Sequence, residues 1–236
     1  MQISFKGNKV NLPDFMIVGA AKSGTTTLYR ILAEHPQIYF PPSEKEPFYF
    51  CFGGKEPREL NEITRNRAVW KTEDYFNLYS GVDNDMVSGD ASTSYLYKHE
   101  TSISHMSLIY GKRLEELKII ILLRNPVDRA YSHYTFLVRN GFEELSFEDA
   151  LMPRMIESRR RARWGFDYLN YGAYADQVAH YMSRFPHCKV YLTEDLKDKQ
   201  SLINDITEFL SVDRLEIRDE VTANPSGIPK SRFLVD

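Results

Sequence analysis

Phe15-Met-Ile-Val-Gly-Ala-Ala-Lys-Ser-Gly-Thr-Thr-Thr-Leu-Tyr29 is the stretch whose reading decides the fold. Phe15–Val18 is a short apolar run that stops at Gly19, the pattern of a buried strand. From Thr25 to His35 the apolar residues Leu28, Ile31 and Leu32 recur at helical spacing, and Pro36 ends the run. A glycine-bearing turn joins the two. Such a turn leaves the first N–H groups of the helix unpaired and meets the positive end of its dipole. Lys22 adds a full charge, Gly24 tolerates backbone that other residues avoid, and Thr25, Thr26 and Thr27 offer hydroxyls. The loop therefore suits an anion, although a plain strand-to-helix turn capped by Ser/Thr would look similar. A nucleoside-triphosphate loop, G-x-x-x-x-G-K-[ST], carries its lysine after the second glycine. Here Gly19 and Gly24 keep that separation, but Thr25 follows Gly24 and Lys22 lies inside the turn.

The same alternation extends along the chain. Lys118–Leu123 (KIIILL) reads as a parallel strand covered on both faces, and it runs into Arg124-Asn-Pro126, with proline suited to a first helical turn. Met86–Gly89 and Lys189–Leu192 are further strands. Helices are expected at Glu73–Tyr79, near Ile103–Tyr110, and at Ser146–Glu157, Ala173–Phe185 and Gln200–Leu210. A polar lead precedes Phe15, and the Pro-, Gly- and aromatic-rich Phe40–Arg58 region reads as loop. Strands alternating with helices predict a P-loop-like three-layer α/β fold with a central, mostly parallel sheet flanked by helices. Ligands of such sheets bind beyond the carboxyl ends of the strands. The 19–25 turn and Arg124 both fall there.

The 236 residues, 42% hydrophobic and 27% charged, suit one large α/β domain; a domain excised from a longer protein would read the same. No apolar run approaches the roughly 20 residues of a membrane span, and the N-terminus lacks a signal-peptide core. With only Cys51 and Cys188, a reducing, cytoplasmic setting is expected. The net charge of −3 argues against nucleic acid as a partner.

Lys22-Ser-Gly-Thr-Thr-Thr27 resembles the K-x-G-T-[TS] signature of sulfotransferases of the heparan-sulfate and bacterial type. The resemblance implies that Lys22, Ser23, Gly24, Thr25, Thr26 and Thr27 hold the 5′-phosphosulfate of PAPS (3′-phosphoadenosine 5′-phosphosulfate) without a metal. Arg124-Asn-Pro-Val-Asp-Arg-Ala-Tyr-Ser-His-Tyr134 is similar to that family's 3′-phosphate motif, R-[ND]-P-x-x-R-x-x-S-x-[YF], which assigns Arg124 and Ser132 to the 3′-phosphate. Arginine at a strand end can indeed fork onto a phosphate. Arg129 is expected in a structural ion pair. The resemblance covers residues 13–235 and implies an enzyme that moves a sulfuryl group to an alcohol, leaving adenosine 3′,5′-bisphosphate (PAP).

Pro42-Ser-Glu-Lys-Glu-Pro-Phe-Tyr-Phe50 resembles the family's P-x-x-K-E-x-x-[FY]-F segment. It implies Glu46 as general base and Lys45 as a charge-stabilising neighbour, with the aromatic run walling off water. Two solvated loop acids, Glu44 and Glu46, are the competing reading. His99, His105 and His133 are rival bases. Gly-Asp-Ala-Ser-Thr-Ser-Tyr95 resembles a segment near the acceptor, which would bring Asp90, Ser94 and Tyr95 to the substrate together with Phe48 and Tyr174. A self-bonded turn and a packed helix tyrosine are the alternatives. The basic cluster Arg154, Arg159, Arg160, Arg161 and Arg163 is either a solvated face or a dock for an acidic partner. The expected acceptor is a small or carrier-bound hydroxyl (a polyketide β-hydroxyl on an acyl carrier protein, a sugar or a lipid), with a glycosaminoglycan-like polysaccharide, or binding without turnover, as alternatives. The family's K-G-R-x-[YFH] closing segment is absent from this sequence: either the chain is cut short of it, or the site closes differently, with residues 225–229, Lys230 and Arg232 as candidates to replace it.

Overall fold

The structure, a computed structural model, describes residues 1–57, 62–83, 85–161 and 163–217, with backbone alone at 63 and 64. The strands are β1 (Gln2–Phe5), β2 (Asn8–Asn11), β3 (Phe15–Gly19), β4 (Ile38–Tyr39), β5 (Val87–Asp90), β6 (Lys118–Leu123) and β7 (Cys188–Leu192). The helices are α1 (Thr25–Ala33), α2 (Glu62–Arg67), α3 (Thr72–Asn77), α4 (Ser94–Tyr97), α5 (His99–Tyr110), α6 (Pro126–Arg139), α7 (Phe147–Ala150), α8 (Pro153–Arg159), α9 (Tyr174–Arg184) and α10 (Lys199–Leu210).

Five strands form one sheet in the order β4-β5-β3-β6-β7, and every pairing in it is parallel. β3 and the four central residues of β6 are wholly buried, which explains their unbroken apolar sequence. Successive side chains serve opposite layers. Phe15, Ile17 and Ile120 pack on α1 and α10, through Leu28, Ile31, Leu32, Ile203 and Ile206. Met16, Val18, Ile119 and Ile121 pack on the other side against Tyr49, Phe50, Tyr75, Met106 and Tyr181. Each fully buried side chain of this size contributes roughly 1.5–3 kcal/mol. From β3 the chain goes first to β4 and β5 on one side and then to β6 on the other. The carboxyl end of β3 is thus the switch point at which such sheets bind ligands.

Several local expectations change. The polar lead folds into an antiparallel hairpin, β1 against β2, turning at Lys6 (φ 49) and Gly7 (φ 83), the two positive values of a type I′ turn. The helix expected over Ser146–Glu157 is two, because Met152 is extended (ψ 128) and Pro153 starts a new one. Tyr49–Phe52 forms a helical turn inside the expected loop, and its rings enter the core, with Tyr49 stacked on Tyr75 at 4.1 Å. Residues 225–229, Lys230 and Arg232 lie outside the described residues.

Candidate active site

Three strand ends are tied together at the switch point. The Ala20 N–H donates to the Leu122 carbonyl at 2.7 Å. Thr193, the first residue after β7, sets its hydroxyl between the Ser23 and Leu123 carbonyl oxygens, 2.8 and 2.9 Å away. Arg124 Nη1 reaches the Lys22 carbonyl at 3.3 Å. Asn125 caps α6, its side chain accepting from the N–H groups of Val127 and Asp128, with Pro126 following. That cap fixes the face that α6 turns to the loop.

Over these ends lies a cleft of about 1030 Å³, at the upper end of the roughly 300–1,000 Å³ usual for small-molecule sites. Lys22, Gly24, Thr25, Thr26 and Thr27 line it from the loop, and Arg124 and Ser132 from β6 and α6. The N–H groups of Lys22, Gly24, Thr25 and Thr26 have no partner among the described residues, as an anion site at a helix start requires. Gly24 has φ 94 and Lys22 φ 71. A Cβ at position 24 would also collide with Leu196. Gly24→Ala should therefore lower stability by about 1–2 kcal/mol, read as a lower urea midpoint. An unchanged midpoint would show that the loop is not held in this conformation.

Glu46, Phe48 and Ser94 complete the wall. The Glu46 carboxylate accepts from Lys45 Nζ and from the Thr93 hydroxyl, each at 3.1 Å. Lys45 also donates to Thr26 Oγ1 at 3.1 Å, and the Phe48 N–H donates to Ser92 Oγ at 3.1 Å. The loop carrying Glu46 is thereby pinned to α1 on one side and to the segment after β5 on the other. Of the aromatic run only Phe48 faces the cleft; Tyr49 and Phe50 are core. Lys45 acts on Glu46 from behind the wall.

Other sequence candidates sit elsewhere. Asp90 and Tyr95 are buried beneath the cleft. The Asp90 carboxylate accepts from Tyr75 at 2.8 Å, Tyr95 at 2.7 Å and the Ser92 N–H at 2.9 Å. Asp90 thus holds Ser92, which holds the Glu46 loop. Burial raises the Asp90 pKa to about 6 against the opposing hydrogen bonds. A folded-state pKa above the ordinary 3.8 means that the folded protein binds this proton more tightly than the unfolded chain does. Its stabilising contribution is complete below 3.8 and is lost as pH rises to about 6. The stability difference between wild type and Asp90→Asn should change through that window and level off above it. A constant difference across urea titrations at each pH would overturn this assignment.

Ser23 and Tyr174 do not line the cleft: their hydroxyls are buried beneath it, with that of Tyr174 set beside the Ser23 side chain and the Arg124 backbone. Arg129, wholly buried, contacts His133 Nδ1 at 3.2 Å and the Tyr168 carbonyl, so it finds a ring nitrogen and a backbone oxygen in place of the expected carboxylate. The basic cluster is divided. Arg159 pairs with buried Glu143 at 2.8 Å, Arg160 lies 3.8 Å from Asp167, Arg154 and Arg161 are exposed, and Arg163 lines the cleft.

Of the rival bases, His105 packs 4.7 Å from the Tyr49 ring, where burial lowers its pKa to about 4. His99 shares a 3.0 Å Nδ1–Nδ1 contact with His180, away from the cleft. His133 does line the cleft. Because an arginine can only donate, His133 Nδ1 must accept from Arg129, which puts the ring proton on Nε2. In that tautomer Nε2 has no lone pair with which to accept a proton.

Sequence reading missed much of the positive charge. Besides Lys22, Arg124 and Arg163 of the basic cluster, the cleft is lined by Arg30, Arg67, Arg139, Lys197 and Lys199, and Glu46 is its single carboxylate among the described residues. This concentration occurs in a chain of net charge −3. Helical spacing from Thr26 would have found Arg30 and spacing from Ser132 would have found Arg139; the strand-end rule applied to β7 would have found Lys197. Lys22 is half-buried with its ammonium 4.2 Å from the Phe136 ring centre. Burial first, then Arg139 and Arg124, lower its pKa to about 8.

The family model for the sulfotransferase domain matches residues 12–224. This chain belongs to the sulfotransferase family. Over 176 residues this sulfotransferase is 33% identical to the membrane-associated sulfotransferase kil1 of Dictyostelium discoideum, covering 70% of this chain and 34% of that protein. It is 24% identical over 212 residues to the human bifunctional heparan sulfate N-deacetylase/N-sulfotransferase 3, covering 85% of this chain and 22% of that one. It thus spans about a third of the first relative's length and about a fifth of the second's. Among solved structures, a sulfotransferase from Alicyclobacillus acidocaldarius superposes with a TM-score of 0.75 at 33% identity, covering 90% of this chain and 89% of that one. The sulfotransferase domain from the curacin biosynthetic pathway superposes at 0.55 with 18% identity, covering 89% and 77%, a likeness of fold. Among the described residues no helix is long and apolar enough to cross a membrane.

Proposed function

We propose that this chain transfers a sulfuryl group from PAPS to an alcohol hydroxyl. The observation that carries the reading is the convergence of an anion-binding loop, Arg124 with Ser132, and the carboxylate of Glu46, the single one among the described residues that line it, on one cationic cleft. The orphan N–H groups of the loop, its threonines and Lys22 fit a doubly charged phosphosulfate, and Arg124 and Ser132 fit a separate phosphate. PAPS, when bound, supplies a sulfuryl group on a phosphate leaving group. Glu46 takes the proton of the acceptor hydroxyl as its oxygen bonds to sulfur and the bond from sulfur to the phosphate oxygen breaks. Lys22, an ammonium at neutral pH, neutralises the charge that collects on that phosphate oxygen. Lys45 and Thr93 keep the Glu46 carboxylate aimed at the cleft.

The acceptor in this reading is a small hydroxyl compound or one presented on an acyl carrier protein; a polyketide β-hydroxyl, a sugar and a lipid all qualify. A sulfated polysaccharide is the second reading, favoured by the cationic residues around the mouth. The two free cysteines suit a cytoplasmic setting. The reading predicts that PAP, and not ATP with Mg²⁺, raises the thermal midpoint, and that label from [³⁵S]PAPS appears in at least one alcohol of a mixed panel. Stabilisation by ATP-Mg²⁺ alone would indicate a kinase. PAP binding with no transfer across the panel would indicate a binding module.

A further inference from the structure

Along α6, Ser132, Phe136 and Arg139 stand at i, i+4 and i+7, on one face, and all three line the cleft. At 1.5 Å per residue the Arg139 backbone lies about 10 Å beyond that of Ser132 along the axis. The Lys22 ammonium is at the Phe136 ring, between them. The proposed nucleotide placement uses the Ser132 end and the middle, and leaves the Arg139 end unassigned. There the chain turns through Asn140 and Gly141 to Phe142, whose ring carries the Arg163 guanidinium at 3.6 Å from its centre. The Arg139 guanidinium lies 5.9 Å from the centre of the Phe136 ring. Arg159 and Arg160 have carboxylate partners; Arg139 and Arg163 have none among the described residues. A guanidinium held against an aromatic face keeps its N–H edge free for two-point contact with an oxyanion. His133, whose Nε2–H is fixed by Arg129, lies against Gly165, two residues from Arg163, and lines the same wall.

We infer that Arg139 and Arg163, with the His133 Nε2–H, form a second anion subsite at the acceptor end of the cleft. It takes a carboxylate, sulfate ester or phosphate ester carried by the acceptor away from its reacting hydroxyl. Phe142 and Trp164 alongside suit an apolar body attached to that group. The inference rests on the nucleotide placement proposed above. Its test is calorimetric titration of PAP-saturated protein with phenyl sulfate and with uncharged benzyl alcohol. Phenyl sulfate should bind the PAP complex, and benzyl alcohol should bind at least about tenfold more weakly. Arg163→Gln and Arg139→Gln should each weaken phenyl sulfate about tenfold, the loss for one charged hydrogen-bonding partner, while PAP affinity stays within about twofold. Competition between phenyl sulfate and PAP, or parallel loss of both ligands in the variants, would assign these arginines to the nucleotide and overturn the inference. So would failure of phenyl sulfate to bind the PAP complex. If PAP itself does not bind, the nucleotide placement fails first. The same titration of the free protein then decides the subsite by whether Arg163→Gln weakens phenyl sulfate.

Discussion

Arg124→Ala is expected to remove the stabilisation of this protein by PAP while leaving the free protein nearly as stable as wild type. Arg124 follows a strand whose four central residues are buried, so its backbone position is set by the sheet whatever its side chain is. The guanidinium is half-buried and makes one long intramolecular hydrogen bond, 3.3 Å to the Lys22 carbonyl. Its loss from the free protein should therefore be worth no more than about 1 kcal/mol. Toward a phosphate it offers a two-point, charge-assisted contact, and the two lost bonds together weaken binding by about 100-fold. With PAP at 100 times its wild-type dissociation constant, wild type gains about 2.7 kcal/mol and the variant about 0.4. Arg124→Lys should fall between them, keeping the charge and losing the fork. A PAP-dependent midpoint that survives in Arg124→Ala would place the bisphosphate elsewhere in the cleft.

The parts of this site that were legible in the sequence are those in which one short segment does the whole job. KIIILL can only be a strand buried on both faces, and Gly24 with three threonines can only follow such a strand as the start of a helix. Pro126 marks a helix start from sequence alone, and the structure adds the Asn125 cap. What stayed hidden depends on segments distant in sequence. Asp90 has the composition of a substrate-facing acid. Its role beneath the cleft is set by Tyr75 and Tyr95, which close over it, and by Ser92, through which it holds the Phe48 N–H. Arg129 reads as half of an ion pair until the fold sets it against His133 and the Tyr168 carbonyl. Arg163 belongs by sequence to a run of surface arginines, and only its seat on Phe142 separates it from Arg159 and Arg160. The hairpin at Lys6-Gly7 was missed for a different reason. Only β1 alternates exposed and half-buried residues, while β2 is mostly polar, too weak a pattern to stand out before it packs on the core.

Glu46→Gln is expected to lower kcat by about 10²–10⁴-fold, the usual range for loss of a general base, with PAP affinity unchanged within experimental error. Glutamine keeps the shape of the side chain and an oxygen for the Thr93 hydroxyl or Lys45 to donate to, so the loop should stay pinned. It cannot accept the acceptor's proton. The structure makes the test sharp because the described residues offer no substitute: Glu46 is the single carboxylate among those lining the cleft, and His133, the one rival base that lines it, accepts from Arg129 at Nδ1 and so carries its proton on Nε2. Thr93→Val provides a graded control. It removes the 3.1 Å contact that aims the carboxylate and leaves the carboxylate itself. A positioning contact of that kind should be worth about tenfold in kcat, the equivalent of roughly 1.4 kcal/mol. The two variants should therefore differ in size of effect: Glu46→Gln loses the proton acceptor itself, and Thr93→Val keeps it in a less constrained position. Should Glu46→Gln instead retain wild-type turnover, proton removal must fall to a group outside this cleft wall, and Lys45, Thr93 and Ser92 would be bracing a loop for binding alone.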